Sequence, residues 1–569
     1  MRRKTPSSVL AVVLTIVIVF TIVIGCGAVS SLGAQPTEPA WMSKKPRFFI
    51  NHDGYFLLVN TPPITLDQFL YGALGSVEGT QVDGLVCHMF TFGDAVPLFK
   101  TTVEEANVVR PDKAASGHVW RYIHNREALL AMPQDPWATL IAKTHEQGKQ
   151  FWGSMRFNDA HPPSYGMRSK FGVDHPEHLL DERCGAPFHD PGPHGKVPPC
   201  RHRDFGIREV REYRLRLIRD LCSRYDVDGF EWDFTRDNDH NFPADQRAEG
   251  PRILTEYMRE VRRALDEIGR ERGRRVGLGI RVPGTPEVCR ETGLPIEQWI
   301  REGLVDMVSP TVYYDTTCEL PFDKFVEMAK GTKVRIYANV TEGVGPGRFR
   351  PPPRDAVRAA AYNAWQDGID GINLFNFHHH LMSNRINDVS LLSEIGNPAT
   401  LKYKNKLYMI AGIGVPSQQR FFKKPYATAF KHQLPVEVPV QPDGPGVTVR
   451  VPIADDVAAA RRDRLLDSVT LRMDLLHLTG VEKIALTVNG QPVPVSSVKW
   501  EISWQYAYNW NGLHGDWEAS FDLTDGDWIR KGDNEIRLTL LERPEDIALP
   551  ITLYALAVEI KYNVLQMGF

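Results

Sequence analysis

From about residue 45 to residue 380, short apolar runs alternate with amphipathic stretches. The runs are Arg47–His52, Gly84–Phe90, Gln150–Arg156, Gly229–Phe234, Arg275–Val282, Met307–Tyr313, Lys333–Val340 and Gly371–Phe377. Helical spacing recurs between them, as in Pro136–Gln147, Gly206–Tyr225, Gly250–Arg270, Pro295–Gly303, Pro321–Ala329 and Arg354–Gln366. Strands separated by helices imply a parallel sheet, and eight such strands can close into a (β/α)8 barrel. A doubly wound open sheet is the rival arrangement. No Gly-x-Gly-x-x-Gly follows the first run, and the strand count favours the barrel. Three runs are preceded by the same signal, Val82-Asp-Gly84, Val227-Asp-Gly229 and Ile369-Asp-Gly371. These read as structural turns in which Gly supplies a positive φ and Asp bonds nearby backbone.

Beyond residue 395 the helical period fades, apart from a short stretch at Val457–Arg462. Strand-like runs follow at Leu407–Ile413, Gly446–Val451, Ser468–Leu476, Lys483–Val488, Trp517–Leu523, Asn534–Leu541 and Thr552–Ile560. Turn signals at Thr487-Val-Asn-Gly490 and Lys531-Gly-Asp-Asn534 separate them. The expected architecture is therefore a TIM barrel over 45–395, followed by an all-β, jelly-roll-like sandwich over 396–569. Trp500, Trp504, Tyr506, Tyr508 and Trp510 crowd one segment of the sandwich. Such aromatics stack on sugar rings or fill a core, and packing is the expectation.

The first 34 residues stand apart. A basic Met-Arg-Arg-Lys start and an apolar run from Val9 to Ile24 read as a signal peptide or a membrane anchor. Val23-Ile24-Gly25-Cys26 resembles a bacterial lipobox, with Cys26 as the lipidated residue. Each version places the body outside the cytoplasm, secreted or held at the membrane. Of seven cysteines, six lie beyond this leader. In an oxidising compartment Cys184 could pair with Cys200, and Cys289 with Cys318, while Cys87 and Cys222 read as buried thiols. A formal charge of -3 offers no electrostatic basis for binding nucleic acid.

The densest chemistry lies in Tyr225-Asp-Val-Asp-Gly-Phe-Glu-Trp-Asp-Phe-Thr-Arg-Asp237. In a strand, Glu231 and Asp233 point to one face and Phe230, Trp232 and Phe234 to the other. Two inward carboxylates cost several kcal/mol unless they are paired, hydrogen-bonded or facing a wet pocket. An active-site floor and a structural acid pair are the two readings. A second unusual stretch, Asp159 to about Phe205, shows little periodicity and carries His161, His175, His178, His189, His194 and His202. It reads as a lid or wall of a cleft. No spacing there matches a known ligand set, so neither a metal nor a cofactor is expected.

Three segments resemble the glycosyl-hydrolase-like TIM-barrel proteins labelled family-ten glycosyl-hydrolase-like. They are Tyr225–Arg236, Ile296–Pro310 and Asp370–Phe377. The fourth strand also resembles the Asp-Gly-x-Asp-x-Asp-x-Glu strand of chitinase-like barrels. It departs from that pattern, with Glu231 for the first inner Asp and Thr235 in place of the catalytic Glu. The departure argues against a substrate-assisted mechanism of the chitinase type. The resemblance implies an exported hydrolase acting on the glycosidic bonds of a poly- or oligosaccharide.

Barrel enzymes carry their catalytic groups at the C-terminal ends of the strands. Glycoside hydrolysis needs one carboxyl as proton donor and a second as nucleophile or base. The candidate catalytic acids are Asp233, Glu231, Glu342 and Asp237, with Asp233 or Glu231 expected as the acid and Glu342 as nucleophile or base. Candidate sugar contacts are Asn51, Asp53, His88, Arg156, Asn158, Arg236, Arg281, Tyr313, Tyr337, Asn339, Asn376 and His378. His52, Asp159, Ser309 and Asp315 complete the polar set at the strand ends. Arg156, Arg236 and Arg281 would together hold an acidic or sulfated sugar, unless each is paired with a carboxylate. The alternatives to hydrolysis are a glycan-binding barrel without catalysis and a metal-dependent polysaccharide deacetylase.

Overall fold

The computed structural model describes residues 46–563, apart from 55, 92–93, 111–113, 115, 160–166, 181–201, 236–240, 313–315, 341–353, 377–388, 412–431 and 504–515. Eight strands form the first body: β1 (Phe48–His52), β2 (Gly84–His88), β3 (Gln150–Arg156), β4 (Gly229–Asp233), β5 (Gly277–Pro283), β6 (Met307–Thr311), β7 (Arg335–Val340) and β8 (Gly371–Phe375). Each pairs in parallel with its neighbour in the chain, and β8 returns to β1, closing the barrel. The main helices are α1 (Leu66–Leu74), α2 (Gly117–Ala131), α3 (Pro136–Glu146), α4 (Arg208–Arg224), α5 (Gly250–Arg272), α6 (Ile296–Arg301), α7 (Phe322–Ala329) and α8 (Arg354–Gln366). Their apolar faces meet the outward side chains of the strands. Leu217 and Leu221 of α4 and Tyr257 and Val261 of α5, for example, share one core with Phe230 and Trp232 of β4.

The three Asp-Gly signals work as a unit at the N-terminal rim. Asp83 accepts from the backbone N–H of Arg47 (2.6 Å) and Phe48 (3.1 Å), Asp228 from Phe151 (2.9 Å), and Asp370 from Ile336 (2.9 Å). Each carboxylate thus satisfies the exposed start of a neighbouring strand. The glycines differ from expectation, since none of the three has a positive φ. They are small because the barrel interior is full at that level. A Cβ on Gly84 would lie 2.4 Å from the Phe49 ring, one on Gly229 2.4 Å from Trp152, and one on Gly371 2.4 Å from Tyr337.

The second body is a two-sheet sandwich of antiparallel strands. One sheet runs β9 (Lys406–Ala411), β18 (Ile551–Tyr562), β12 (Leu466–Leu476), β16 (Asp516–Asp522) and β15 (Lys499–Ser503), with β10 (Val436–Val438) also on β18. The other runs β11 (Val447–Ile453), β17 (Gly532–Glu542), β13 (Lys483–Val488) and β14 (Gln491–Val493). Leaving β9 and β15 aside, the sheets read β10-β18-β12-β16 and β11-β17-β13-β14, the interleaved order of a jelly roll. Their inner faces share one apolar core. Trp500 does not join it. It is exposed on β15 and meets Trp517 edge-on, with ring centroids 6.3 Å apart.

The expected Cys289–Cys318 pairing is not formed. Both are buried thiols outside any disulfide, as are Cys87 and Cys222. Cys289 packs in the barrel core, with Sγ 3.5 Å from the Pro283 carbonyl, whereas Cys318 belongs to the core shared with the sandwich. Cys184, Cys200 and the leader lie outside the described residues, within which no helix is long and apolar enough to cross a membrane.

Candidate active site at the C-terminal end of the barrel

Inward side chains of the strands stack in three levels. The lowest is apolar: Phe49, Val86, Trp152, Met307 and Tyr337. Tyr337, expected as a sugar contact, belongs here. Its hydroxyl donates to the Pro46 carbonyl at 2.6 Å, at the opposite end of the barrel from the strand ends that would carry a site.

The middle level is polar and sealed. Glu231 is 0% exposed. Its Oε1 accepts from Asn51 Nδ2 (2.9 Å) and Ser154 Oγ (3.1 Å), and its Oε2 lies 3.5 Å from Asn373 Nδ2. Asn373 also reaches Ser309 Oγ at 3.3 Å. Burial pushes the Glu231 carboxyl up to about 7, the Asp233 charge adds to the shift, and Arg281 and the donated hydrogen bonds oppose it. Three strands thus place donors around the carboxyl expected as a catalytic group, and Asn51, expected as a sugar contact, is one of those donors.

The upper level gathers the remaining candidates. Asp233, the last residue of β4 and 3% exposed, accepts from Arg281 Nη1 through Oδ2 at 2.8 Å. Its Oδ1 accepts from the Thr235 backbone N–H (2.9 Å) and hydroxyl (2.6 Å). The guanidinium of Arg281 lies over the Phe375 ring, 3.6 Å from its centroid, and its Nε is 3.4 Å from Asn339 Oδ1. Thr311 Oγ1 donates to the same Asn339 oxygen at 2.7 Å. On the other side, Arg156 Nη2 donates to both Asp53 oxygens at 2.5 Å, and Nη1 to Asp159 at 2.5 Å. Burial works against the Arg156 charge, and the two flanking carboxylates outweigh it, raising its pKa. Asn376 Nδ2 reaches Asp53 Oδ2 at 3.4 Å from a left-handed backbone (φ 57°), which Asn tolerates better than most residues.

His88, at the end of β2, is buried beside these groups. Burial lowers its pKa to about 4, and the charge of Arg156 adds to the effect, so the ring is neutral near pH 7. Two further candidates point elsewhere. Asn158 clamps Arg203, accepting from its N–H at 2.8 Å and donating to its carbonyl at 3.0 Å. His52 faces outward, with Nε2 3.2 Å from the Ala73 carbonyl of α1. Arg236, Asp237, Tyr313, Asp315, Glu342 and His378 lie outside the described residues. Sequence reasoning missed Thr235 as the hydrogen-bond partner of Asp233, although it stands two residues on along the same face. It also missed Asn373 and Phe375, whose inward direction follows from alternation with Gly371.

The upper level therefore offers one strand-end carboxylate held by a guanidinium and a hydroxyl, beside a second carboxylate pair around Arg156. No protein-family model matches the chain, and no curated protein matches it either. Among solved structures, the chain is similar to the PgaB (BpsB) glycoside hydrolase domain from Bordetella bronchiseptica, at 10% identity and a TM-score of 0.37, covering 62% of this chain and 99% of that one. It is also similar to α-L-fucosidase isoenzyme 2 from Paenibacillus thiaminolyticus, at 13% identity and a TM-score of 0.38, covering 62% of this chain and 48% of that one. A third is a GH27 β-L-arabinopyranosidase from Geobacillus stearothermophilus, at 12% identity and a TM-score of 0.35, covering 88% and 99%. Likeness at this level adds nothing to the barrel already traced strand by strand, and the chemistry rests on the residues themselves.

Proposed function

We propose that the protein is a glycoside hydrolase that cleaves a poly- or oligosaccharide at the C-terminal end of its barrel. The observation that carries this reading is Asp233. It closes β4, where barrel enzymes place catalytic groups, and a guanidinium and a hydroxyl hold its two oxygens. An Arg neighbour favours the charged carboxylate, which suits a nucleophile or a base better than an acid. The expected roles are accordingly exchanged. Asp233 attacks the anomeric carbon or activates water, and the proton donor to the leaving oxygen is Glu342 or Asp237. A separation of about 5–5.5 Å between the two carboxyls gives retention, and about 6.5–9.5 Å gives inversion.

A neutral sugar fits better than an acidic or sulfated one. Arg156 and Arg281 are already engaged by Asp53, Asp159 and Asp233, so an incoming anion would have to displace a buried carboxylate. The same pairing favours the second reading, a glycan-binding barrel without turnover, because Asp53, Asp159 and Asp233 each face an arginine. Incubation with neutral, uronic and sulfated oligosaccharides separates the readings. Release of new reducing ends from a neutral member supports hydrolysis. Saturable binding with no release across the panel supports the second reading, and preference for the charged members contradicts the neutral-sugar assignment.

A further inference from the structure

Between β3 and α4 the chain makes a 3-10 turn over Pro176–His178, with His175 as its N-cap. Residues three apart on such a turn eclipse each other. His175 and His178 accordingly stack, with centroids 4.7 Å apart and planes 9° from parallel. Glu177 leans into the pair. Its Oε1 is 2.9 Å from His175 Nδ1 and 3.8 Å from His178 Nε2. One ligand atom from each of the three lies within 4.8 Å of the others, the only such group of three His, Cys, Asp or Glu residues among the described residues. His178 is 8% exposed, and its Nδ1 is buried without a hydrogen-bond partner. Two imidazoles, His178 through the Nε2 that faces Glu177, and a carboxylate form a mixed nitrogen and oxygen donor set.

The turn is stitched to the chain that leads into α4. Leu180 N–H donates to the His202 carbonyl (2.8 Å), Asp204 N–H donates to the His178 carbonyl (2.9 Å), and Leu179 pairs with Arg203. Arg203 is in turn the residue that Asn158 clamps at the end of β3. Arg203 and Glu209 are the charged neighbours that act most on His178 beyond the cluster.

We propose that His175, Glu177 and His178 form a binding site for a divalent transition-metal ion of the zinc type, which locks the turn fastened to residues 202–204. Zinc takes imidazole nitrogen at about 2.0–2.1 Å and carboxylate oxygen at about 2.0–2.2 Å, with water completing a four-coordinate shell. Both imidazole planes must then aim at the ion, so the half-exposed His175 ring rotates out of the stack while buried His178 stays in place. The site is distinct from the mouth, and its role is to hold the wall rather than to take part in bond cleavage.

The test titrates the full-length chain, freed of metal by a chelator, with Zn2+ in a calorimeter. Thermal unfolding is followed with and without the ion. His175→Ala and Glu177→Gln alter exposed side chains and leave the fold intact, and exposed His118→Ala serves as control. Loss of an outer-shell partner alone costs about 10–100-fold in metal affinity, so loss of a ligand lowers it by about tenfold or more. Wild type and His118→Ala are expected to bind one ion that raises the melting temperature, and His175→Ala and Glu177→Gln to lose that ion or hold it at least about tenfold more weakly. Equal stoichiometry and affinity in wild type and both site variants, or no binding by wild type, overturns the proposal.

Discussion

Glu231 and Asp233 stand two residues apart on one strand face, yet they sit in different surroundings. One is sealed among amide and hydroxyl donors, and the other is paired with a guanidinium. The raised pKa of Glu231 has a definite linkage sign. Its value is about 7 in the folded protein against 4.5 for the free side chain, so the folded state holds the proton more tightly. The stability that this proton adds is complete below about pH 4.5, is lost as pH rises toward about 7, and changes little beyond. A shift of this size corresponds to roughly 2–4 kcal/mol. His88 acts in the opposite sense, because its pKa lies below that of free histidine. The difference between proteins isolates the Glu231 contribution. Glu231→Gln should gain stability over wild type between pH 4.5 and pH 8 in urea titrations. A wild-type-minus-variant difference that does not change with pH would refute the assignment. Alternation along the fourth strand put Glu231 and Asp233 on one face, and both point into the barrel. It carries no information on depth along the barrel axis. Depth separates Tyr337 at the floor from Asn339 at the mouth, and sealed Glu231 from Asp233.

At the scale of elements, the barrel depends on glycines that leave room for rings. Gly84, Gly229 and Gly371 lie against Phe49, Trp152 and Tyr337. Gly229→Ala should destabilise by about 1–3 kcal/mol through overpacking, measured by denaturant unfolding. Trp152→Phe introduced with it should recover part of the loss, giving a non-additive double-mutant cycle. Additive losses would show that the two positions do not share the space. All eight barrel strands were legible because each is a short apolar run set between helical stretches, and three of them are announced by an Asp-Gly turn. The Asp-Gly signals were legible as punctuation, but the reason for the glycine was not, since the ring it faces comes from another strand. In the sandwich, Val436–Val438, Gln491–Val493 and Lys499–Ser503 escaped recognition. The first two are only three residues long, and the third lies at the edge of its sheet, where one flank is unpaired and composition is weakly constrained.

The whole molecule is joined along α8. Asn363 Nδ2 donates to the Pro452 carbonyl (2.8 Å), and its Oδ1 accepts from the Ala454 N–H (2.9 Å), spanning barrel and sandwich. Nearby, Lys406 is fully buried, 3.1 Å from Asp455, with Nζ 4.6 Å from the centroid of the α8 residue Tyr362. Ala359 and Ala360 of α8 enter the sandwich core, so the two bodies bury apolar surface together. Asn363→Ala leaves two backbone groups at this junction without partners and should lower stability by about 1–3 kcal/mol. Calorimetry of the variant should still show one transition at a lower temperature. Two separated transitions would mean that the bodies unfold independently. With the barrel held in this way, the central claim rests on Asp233, and the most direct measurement compares turnover of a cleaved neutral oligosaccharide by wild type and by Asp233→Asn, with equal folded fractions verified by circular dichroism. A carboxylate acting in the chemical step should cost about 10²–10⁴-fold in kcat when it is replaced by an amide. An Asp233→Asn protein that turns over at the wild-type rate would remove this residue from the mechanism.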